Sequence, residues 1–298
     1  MLDYKYYSPK TYEEALTLLS TSAEQMKVLG GGTDLLIRIR DEREKPEALL
    51  DISHLGLSYI NPIGDKTIIG SMTSLNEVWE YGDFPEPLHI LKEAAGEVGG
   101  FQTRSSGTIG GNICTGVPTA DIALPLLALE ANLHIESKQG SRVISLNNFF
   151  AGPRKIDLNK DEILKEVIIT NTEFKEGQWG TAFIKIGKRK AMRLAVMNIA
   201  VVMNINPVDL RINKIRAAMG AAAPVPLRLY KVEEYLTGKI YSRAVVNEAK
   251  EILLAEVNPR DSFRSSREYR MDLAGVLFER ALTKSANKAL RGGDSNAS

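Results

Sequence analysis

The chain has 298 residues, more than one core ordinarily organises, and its 44% hydrophobic and 25% charged content belongs to a folded globular protein of two or three units. Lys and Arg number 38 against 37 Asp and Glu, which argues against nucleic-acid binding or polybasic membrane docking, since both need a strong excess of one sign. A lone cysteine, Cys114, allows no internal disulfide, four-thiolate iron–sulfur cluster or cysteine-rich zinc site, and no apolar run reaches the ~18 residues of a membrane span.

The N-terminal MLDYKYYSPK has neither the basic start nor the apolar stretch of a signal peptide, so a cytoplasmic protein is expected. Thr11 and Glu14 fit a capping box, followed by a helical stripe of Ala15, Leu16, Leu18 and Leu19. Met26 to Leu29 is a short strand stopped by Gly30-Gly31-Gly32. A helix restarts near Thr33 or Asp34, and a second strand follows around Ala48 to Ile52. Further strands are expected at Thr67 to Gly70, Leu133 to Glu136 and Arg142 to Ser145, the last two forming a hairpin around Lys138-Gln139-Gly140. Helices are expected at Pro87 to Val98 and Asp121 to Ala131, with residues 99–118 between them a turn-rich loop.

From about residue 176 the pattern changes. Strands at Ala182 to Lys188, Ala195 to Asn204 and Ile212 to Gly220 precede helices at 226–237, 241–256 and 265–288, suggesting a separate α+β domain. The tail after 290 is polar and expected to be disordered.

Two glycine clusters carry the chemistry. Gly30-Gly31-Gly32-Thr33-Asp34 lies between a strand and a helix, where glycines let the backbone approach a ligand and turn N–H groups face an anion. It is neither a Rossmann fingerprint, because Leu35 stands where the third glycine belongs, nor a P-loop, because no Gly-Lys-Ser/Thr follows. The second cluster, Gly107-Thr108-Ile109-Gly110-Gly111-Asn112, has the composition of an anion-binding nest. A tight turn is the plain alternative for either one; together they suit a ligand with a diphosphate.

Other candidates point to less. His54, His89 and His134 are scattered, without metal-ligand spacing. Cys114 has no histidine nearby in sequence and reads as a packed side chain. The run Lys185, Lys188, Arg189, Lys190 and Arg193 reads as a solvated turn, with a partner or dinucleotide contact as the alternative. Asp121 stands at a helix start, where capping is the plain role.

At the glycine clusters the sequence resembles the FAD-binding subunits of molybdenum hydroxylases, such as those of xanthine, carbon monoxide and nicotinate dehydrogenases. The segments are KVLGGGTDLL near residue 30, IGSMTSL at 69–75, QTRSSGTIGGNICTGVPTAD at 102–121, DEILKEVII at 161–169 and MGAAAPVPLR at 219–228. The resemblance implies an α+β protein. It would have a vanillyl-alcohol-oxidase/p-cresol-methylhydroxylase-type FAD-binding domain of two α/β subdomains, 1–57 and 58–175. A C-terminal α+β domain, 176–290, would add a three-stranded antiparallel sheet with helices.

By the same resemblance, the backbone of Lys27, Val28, Leu29, Gly30, Gly31, Gly32, Thr33 and Asp34 would hold the FAD diphosphate, together with that of Thr108, Ile109, Gly110, Gly111 and Asn112. Asp121 would bind toward the adenosine half, Leu164 would contact the flavin nucleotide, and Ile184 follows by spacing only. Val98 stands where some relatives carry an aromatic ring against the flavin. No catalytic acid, base or metal ligand is assigned to this chain.

The implied assembly, a dimer of heterotrimers, puts a molybdenum cofactor on a large subunit and two 2Fe–2S clusters on a small one. Electrons would pass through FAD to NAD+, and a purine is the substrate favoured by resemblance, with nicotinate, other N-heterocycles and carbon monoxide as alternatives. A stand-alone FAD-dependent reductase and a non-enzymatic nucleotide-binding module are the alternatives.

Overall fold

The computed structural model describes residues 4–22, 26–189 and 192–292. Lys190 and the tail from 293 lie outside the described residues. The N-terminal unit comprises β1 (Lys5–Tyr7), α1 (Tyr12–Ser22), β2 (Met26–Leu29), α2 (Leu35–Arg40) and β3 (Ala48–Asp51). At the start of α1, Thr11 Oγ1 accepts the Glu14 N–H at 3.1 Å, and the Glu14 carboxylate accepts the Lys10 N–H at 2.8 Å. All three strands are parallel, in the order β1-β3-β2, with Met26 opposite Ala48 and Leu29 opposite Asp51. Three-residue β1 is too short to display a period, which is why it is illegible in the sequence.

The second unit holds β4 (Ile60–Ile63), β5 (Lys66–Gly70), α3 (Leu75–Glu80), α4 (Ile90–Gly96), α5 (Phe101–Ser106), α6 (Ile109–Cys114), α7 (Ala123–Ala128), β6 (Asn132–Ser137), β7 (Gly140–Ser145), β8 (Phe150–Gly152), β9 (Lys155–Ile156) and β10 (Ile163–Thr170). Its main sheet is antiparallel, in the order β4-β5-β10-β6-β7. The helix expected from Pro87 starts only at Ile90, after turns through His89, and that expected from Asp121 shortens to α7.

The expected loop at 99–118 is corrected outright, since it contains α5 and α6. Extended backbone at Gly107 separates them, and the Thr108 hydroxyl caps α6 by accepting the Gly111 N–H at 3.0 Å. Two glycines in six residues disfavour a helix there. Packing overrides them, because Gly110 N–H donates to Ser71 O at 2.9 Å and Ile109 N–H to Thr73 O at 2.9 Å.

The C-terminal unit comprises β11 (Trp179–Gly187), β12 (Ala195–Ile205), β13 (Ile212–Gly220), β14 (Leu227–Arg228), α8 (Tyr230–Leu236), α9 (Arg243–Glu256) and α10 (Arg267–Leu290). Two-residue β14 makes the expected three-stranded sheet four-stranded. Every residue of β12 is buried. Met197, Ile199, Val201 and Met203 pack toward α8, α9 and α10, whereas Ala200 and Val202 join the core of the second unit. A strand covered on both faces reads as a continuous apolar run, as AVMNIAVVMNI does. One face of the C-terminal sheet thus also belongs to the neighbouring core.

Polar contacts cross the same join. Arg228 donates to Leu127 O at 2.8 Å, Arg216 pairs with Glu130 at 2.7 Å, and Glu93 of α4 pairs with Lys284 at 2.8 Å and with Lys288, both on α10. Burial alone would raise the Glu93 carboxyl, but Lys288 and Lys284 outweigh it and hold it below the usual range. A depressed carboxyl stabilises the fold above its unfolded pKa, and that stabilisation fades as pH falls through the folded value. Glu93→Gln is therefore expected to lose about 1–2 kcal/mol at neutral pH, with the gap to wild type closing toward about pH 3. Urea unfolding across that range checks it; a gap independent of pH would refute the clamp.

Candidate functional site

β2 delivers the chain into Gly30-Gly31-Gly32, and Gly32 turns it at φ 69° toward α2. The turn lies directly on the segment between α5 and α6. A Cβ added to Gly31 would sit 2.6 Å from the carbonyl carbon of Ser106 and 3.0 Å from Gly107 Cα. One on Gly107 would meet Thr33 Oγ1 at 3.3 Å, and one on Gly30 would meet Thr108 Oγ1 at 3.4 Å. Two clusters about 76 residues apart in sequence thus touch backbone to backbone. The absence of a side chain at Gly31 is therefore required by the fold itself, since a Cβ there would overlap the Ser106 peptide.

The clusters differ in what they offer an anion. In α6 the N–H groups of Ile109 and Gly110 bond Thr73 and Ser71, and those of Gly111 and Asn112 bond Thr108. Of the Thr108–Asn112 backbone, expected to hold the diphosphate, the N–H groups of Ile109 to Asn112 are thus engaged within the fold. By contrast, the N–H groups of Gly31, Gly32, Thr33 and Asp34 donate to no group among the described residues. Ser71, against whose Cβ and backbone Gly110 packs, has its Oγ buried without a partner, and Asn112 Oδ1 is buried likewise. A row of unengaged N–H donors is what the oxygens of a diphosphate require, and the Ser71 hydroxyl can add one, whereas Asn112 Oδ1 only accepts. Arg154, which the sequence gave no reason to single out, pairs with Asp34 at 3.1 Å and so offsets the one carboxylate of the turn.

The remaining expected residues are spread around this centre. Lys27 is exposed on β2, Val28 is half-buried and Leu29 is buried. Leu164 is buried in β10 beside Lys165, whose carbonyl accepts the Ser71 N–H at 2.9 Å. Ile184 is not brought together with these, since its side chain packs into the core facing α10. Val98 is half-buried against the second unit's core. Cys114 is half-buried, and burial pushes its thiol up to about 12, which disfavours the thiolate near neutral pH.

Asp121 does not cap α7. Its carboxylate accepts Lys185 Nζ at 2.6 Å and Asn198 Nδ2 at 2.7 Å, and Lys185 also donates to Glu97 O at 2.9 Å. Burial pushes the Asp121 carboxyl up, against the pull of Lys185 and Asn198. Lys185 is 3% exposed, which corrects its place in a solvated basic run. A lysine between apolar neighbours in the strand Phe183-Ile184-Lys185-Ile186 was the signal for this pair.

Residues 2–171 match the family model described as the FAD binding domain in molybdopterin dehydrogenase, and residues 182–285 that of the CO dehydrogenase flavoprotein C-terminal domain. The chain belongs to the FAD-binding subunits of the molybdenum hydroxylases. It is 31% identical over 292 residues to the xanthine dehydrogenase FAD-binding subunit of Escherichia coli O157:H7, covering 97% of this chain and 98% of that one. It is also 31% identical to the carbon monoxide dehydrogenase medium chain of Hydrogenophaga pseudoflava, over 94% and 96% of the two chains. A solved structure of carbon monoxide dehydrogenase from that organism superposes with a TM-score of 0.89 at 30% identity, covering 96% of this chain and 98% of that one. Among the described residues no helix is long and apolar enough to cross a membrane.

Two substitutions probe the site. Gly31→Ala is expected to cost about 1–3 kcal/mol of stability even without ligand, because the new methyl overlaps the Ser106 peptide. Thermal unfolding of the ligand-free chain measures it, and an unchanged midpoint would refute the backbone contact. Asp121→Ala strands a buried ammonium and is expected to cost about 3–5 kcal/mol, which Asp121→Ala/Lys185→Met partly restores. If the double variant is no more stable than the single one, the ion pair is not what Asp121 contributes.

Proposed function

We propose that this chain holds FAD for a xanthine dehydrogenase-like enzyme, receiving electrons singly from a 2Fe–2S subunit and releasing them in pairs to NAD+. The observation that carries the reading is the contact of two glycine turns, with the donors of Gly31 to Asp34 unengaged beside it. Those four N–H groups bind the diphosphate, and the Asn112 side chain and Ser71 hydroxyl complete its shell. Arg154 keeps the Asp34 carboxylate from repelling the ligand. Asp121, fixed in orientation by Lys185 and Asn198, stands toward the adenosine half. Leu164 lends apolar contact to the flavin nucleotide.

Bound FAD supplies one-electron acceptance and two-electron release. The chain's residues bind and orient it. The substrate is oxidised on the large subunit, so this chain carries no general acid or base. Similarity to the xanthine dehydrogenase subunit supports a purine as that substrate.

The purified chain is expected to take up FAD in stoichiometric amount, with the flavin band near ~450 nm, and to reduce only artificial acceptors. Arg154→Ala is expected to weaken FAD binding severalfold at low salt, an effect that shrinks as salt is added. The assembled complex is expected to reduce NAD+ with a purine. A chain that stays colourless after reconstitution overturns the flavin reading. A complex that reduces quinones or dyes but not NAD+ overturns the acceptor.

A further inference from the structure

Arg154 stands at the tip of the β8–β9 hairpin in a backbone conformation that an arginine does not favour. It follows Pro153 at φ 57°, in the left-handed region where tight turns take glycine or asparagine. The position is held fast. Arg154 N–H donates to Gly116 O at 2.8 Å, and a Cβ added to Gly116 would lie 3.1 Å from Arg154 Cα. An arginine strained in this way needs a compensating gain.

The fold itself offers little. The guanidinium pairs with Asp34, Nη1 donating to Oδ2 at 3.1 Å and Nη2 to Oδ1 at 3.5 Å, and with nothing else among the described residues. Both side chains stay about two-fifths exposed (41% and 42%), and an exposed ion pair contributes little to stability. Asp34 forgoes its own plain role for this contact. It stands at the N-cap of α2, yet its carboxylate accepts no N–H from the helix.

What the pair does is orient. A guanidinium carries five N–H donors in a rigid plane, and Asp34 takes one from each terminal nitrogen of Arg154. The other three find no partner among the described residues. They lie beside Asp34, at the end of the turn whose backbone N–H groups are also without partners. A planar fork of donors matches the paired oxygens of a phosphate. We propose that Arg154 is itself a ligand of the FAD phosphates, aimed at them by Asp34 as a positioning residue. The inference rests on the proposed function and adds a direct contact to it, where screening of Asp34 alone would require none.

The test is a double-mutant cycle on the flavin-free full chain, read as FAD affinity from the quenching of flavin fluorescence at low salt. Arg154→Gly removes the guanidinium and suits the backbone, so its thermal unfolding is expected within about 3 °C of wild type. Its FAD affinity is expected to fall at least ~5-fold. The same loss is expected when Arg154→Gly is made in an Asp34→Asn chain, because a phosphate ligand is removed there too. If Arg154 only screens Asp34, the loss vanishes once the carboxylate is gone; that result overturns the inference and leaves the functional reading standing. ADP, which has the diphosphate without the flavin, is expected to lose affinity by the same factor. Calorimetry that finds ADP affinity unchanged overturns the phosphate contact. So does an Arg154→Gly chain that loses stability together with FAD, which assigns the residue to the fold. A wild-type chain that takes up no FAD overturns the functional reading, and the inference with it.

Discussion

Everything at the site depends on the approach of one peptide to another. Gly31 lies against the carbonyl of Ser106 so closely that no side chain fits between them. The approach presses the turn after a parallel strand onto the turn between two short helices from a different unit. Within this contact the N–H groups from Gly31 to Asp34 have no partner among the described residues, whereas those of Ile109 to Asn112 are bonded within the protein. The contact and the unengaged donors thus fall on the same turn, which the missing Cβ of Gly31 allows to lie so close.

Division of labour between the two glycine clusters follows from their hydrogen bonds. α6 turns inward: Ser71, Thr73 and Thr108 absorb its first N–H groups, and its glycines allow it to lie close to β5. The first turn has no such partners. Similar composition therefore hides two situations, one cluster with its N–H groups engaged and the other with N–H groups that find no partner among the described residues. No rule of composition separates them, because the difference lies in residues around 71–73 that are remote in sequence from both.

Much of the fold was legible where a residue's environment is local. The Thr11–Glu14 cap, the β2-turn-α2-β3 unit and the long strands and helices after 176 all follow from periodicity and capping chemistry. The 99–118 segment was misread because glycine, serine and threonine favour turns, while the helices there are imposed by contact with β5 and the first turn. Central strand β10 matched a family segment without announcing itself as a strand; its ILKEVIIT pattern is interrupted by a bulge between Leu164 and Glu166. At the site, both glycine clusters were visible. Arg154 was not, because only the fold brings it to Asp34 across about 120 residues. Lys185 was visible and misassigned, since a run of basic residues reads as solvated unless the alternation of the strand beneath it is followed.

β12 lies in two cores at once, and this bears on how such a protein can change over evolutionary time. The two family models meet in the interval between 171 and 182, as if a flavin module had been joined to a second module there. Folding does not respect that seam. A flavin unit cut free would present to water the apolar surface that Phe183, Ala200, Val202 and Ala218 now cover. A substitution on β12 therefore has to satisfy two cores at once, a constraint that rims, hairpins and loop tips do not carry.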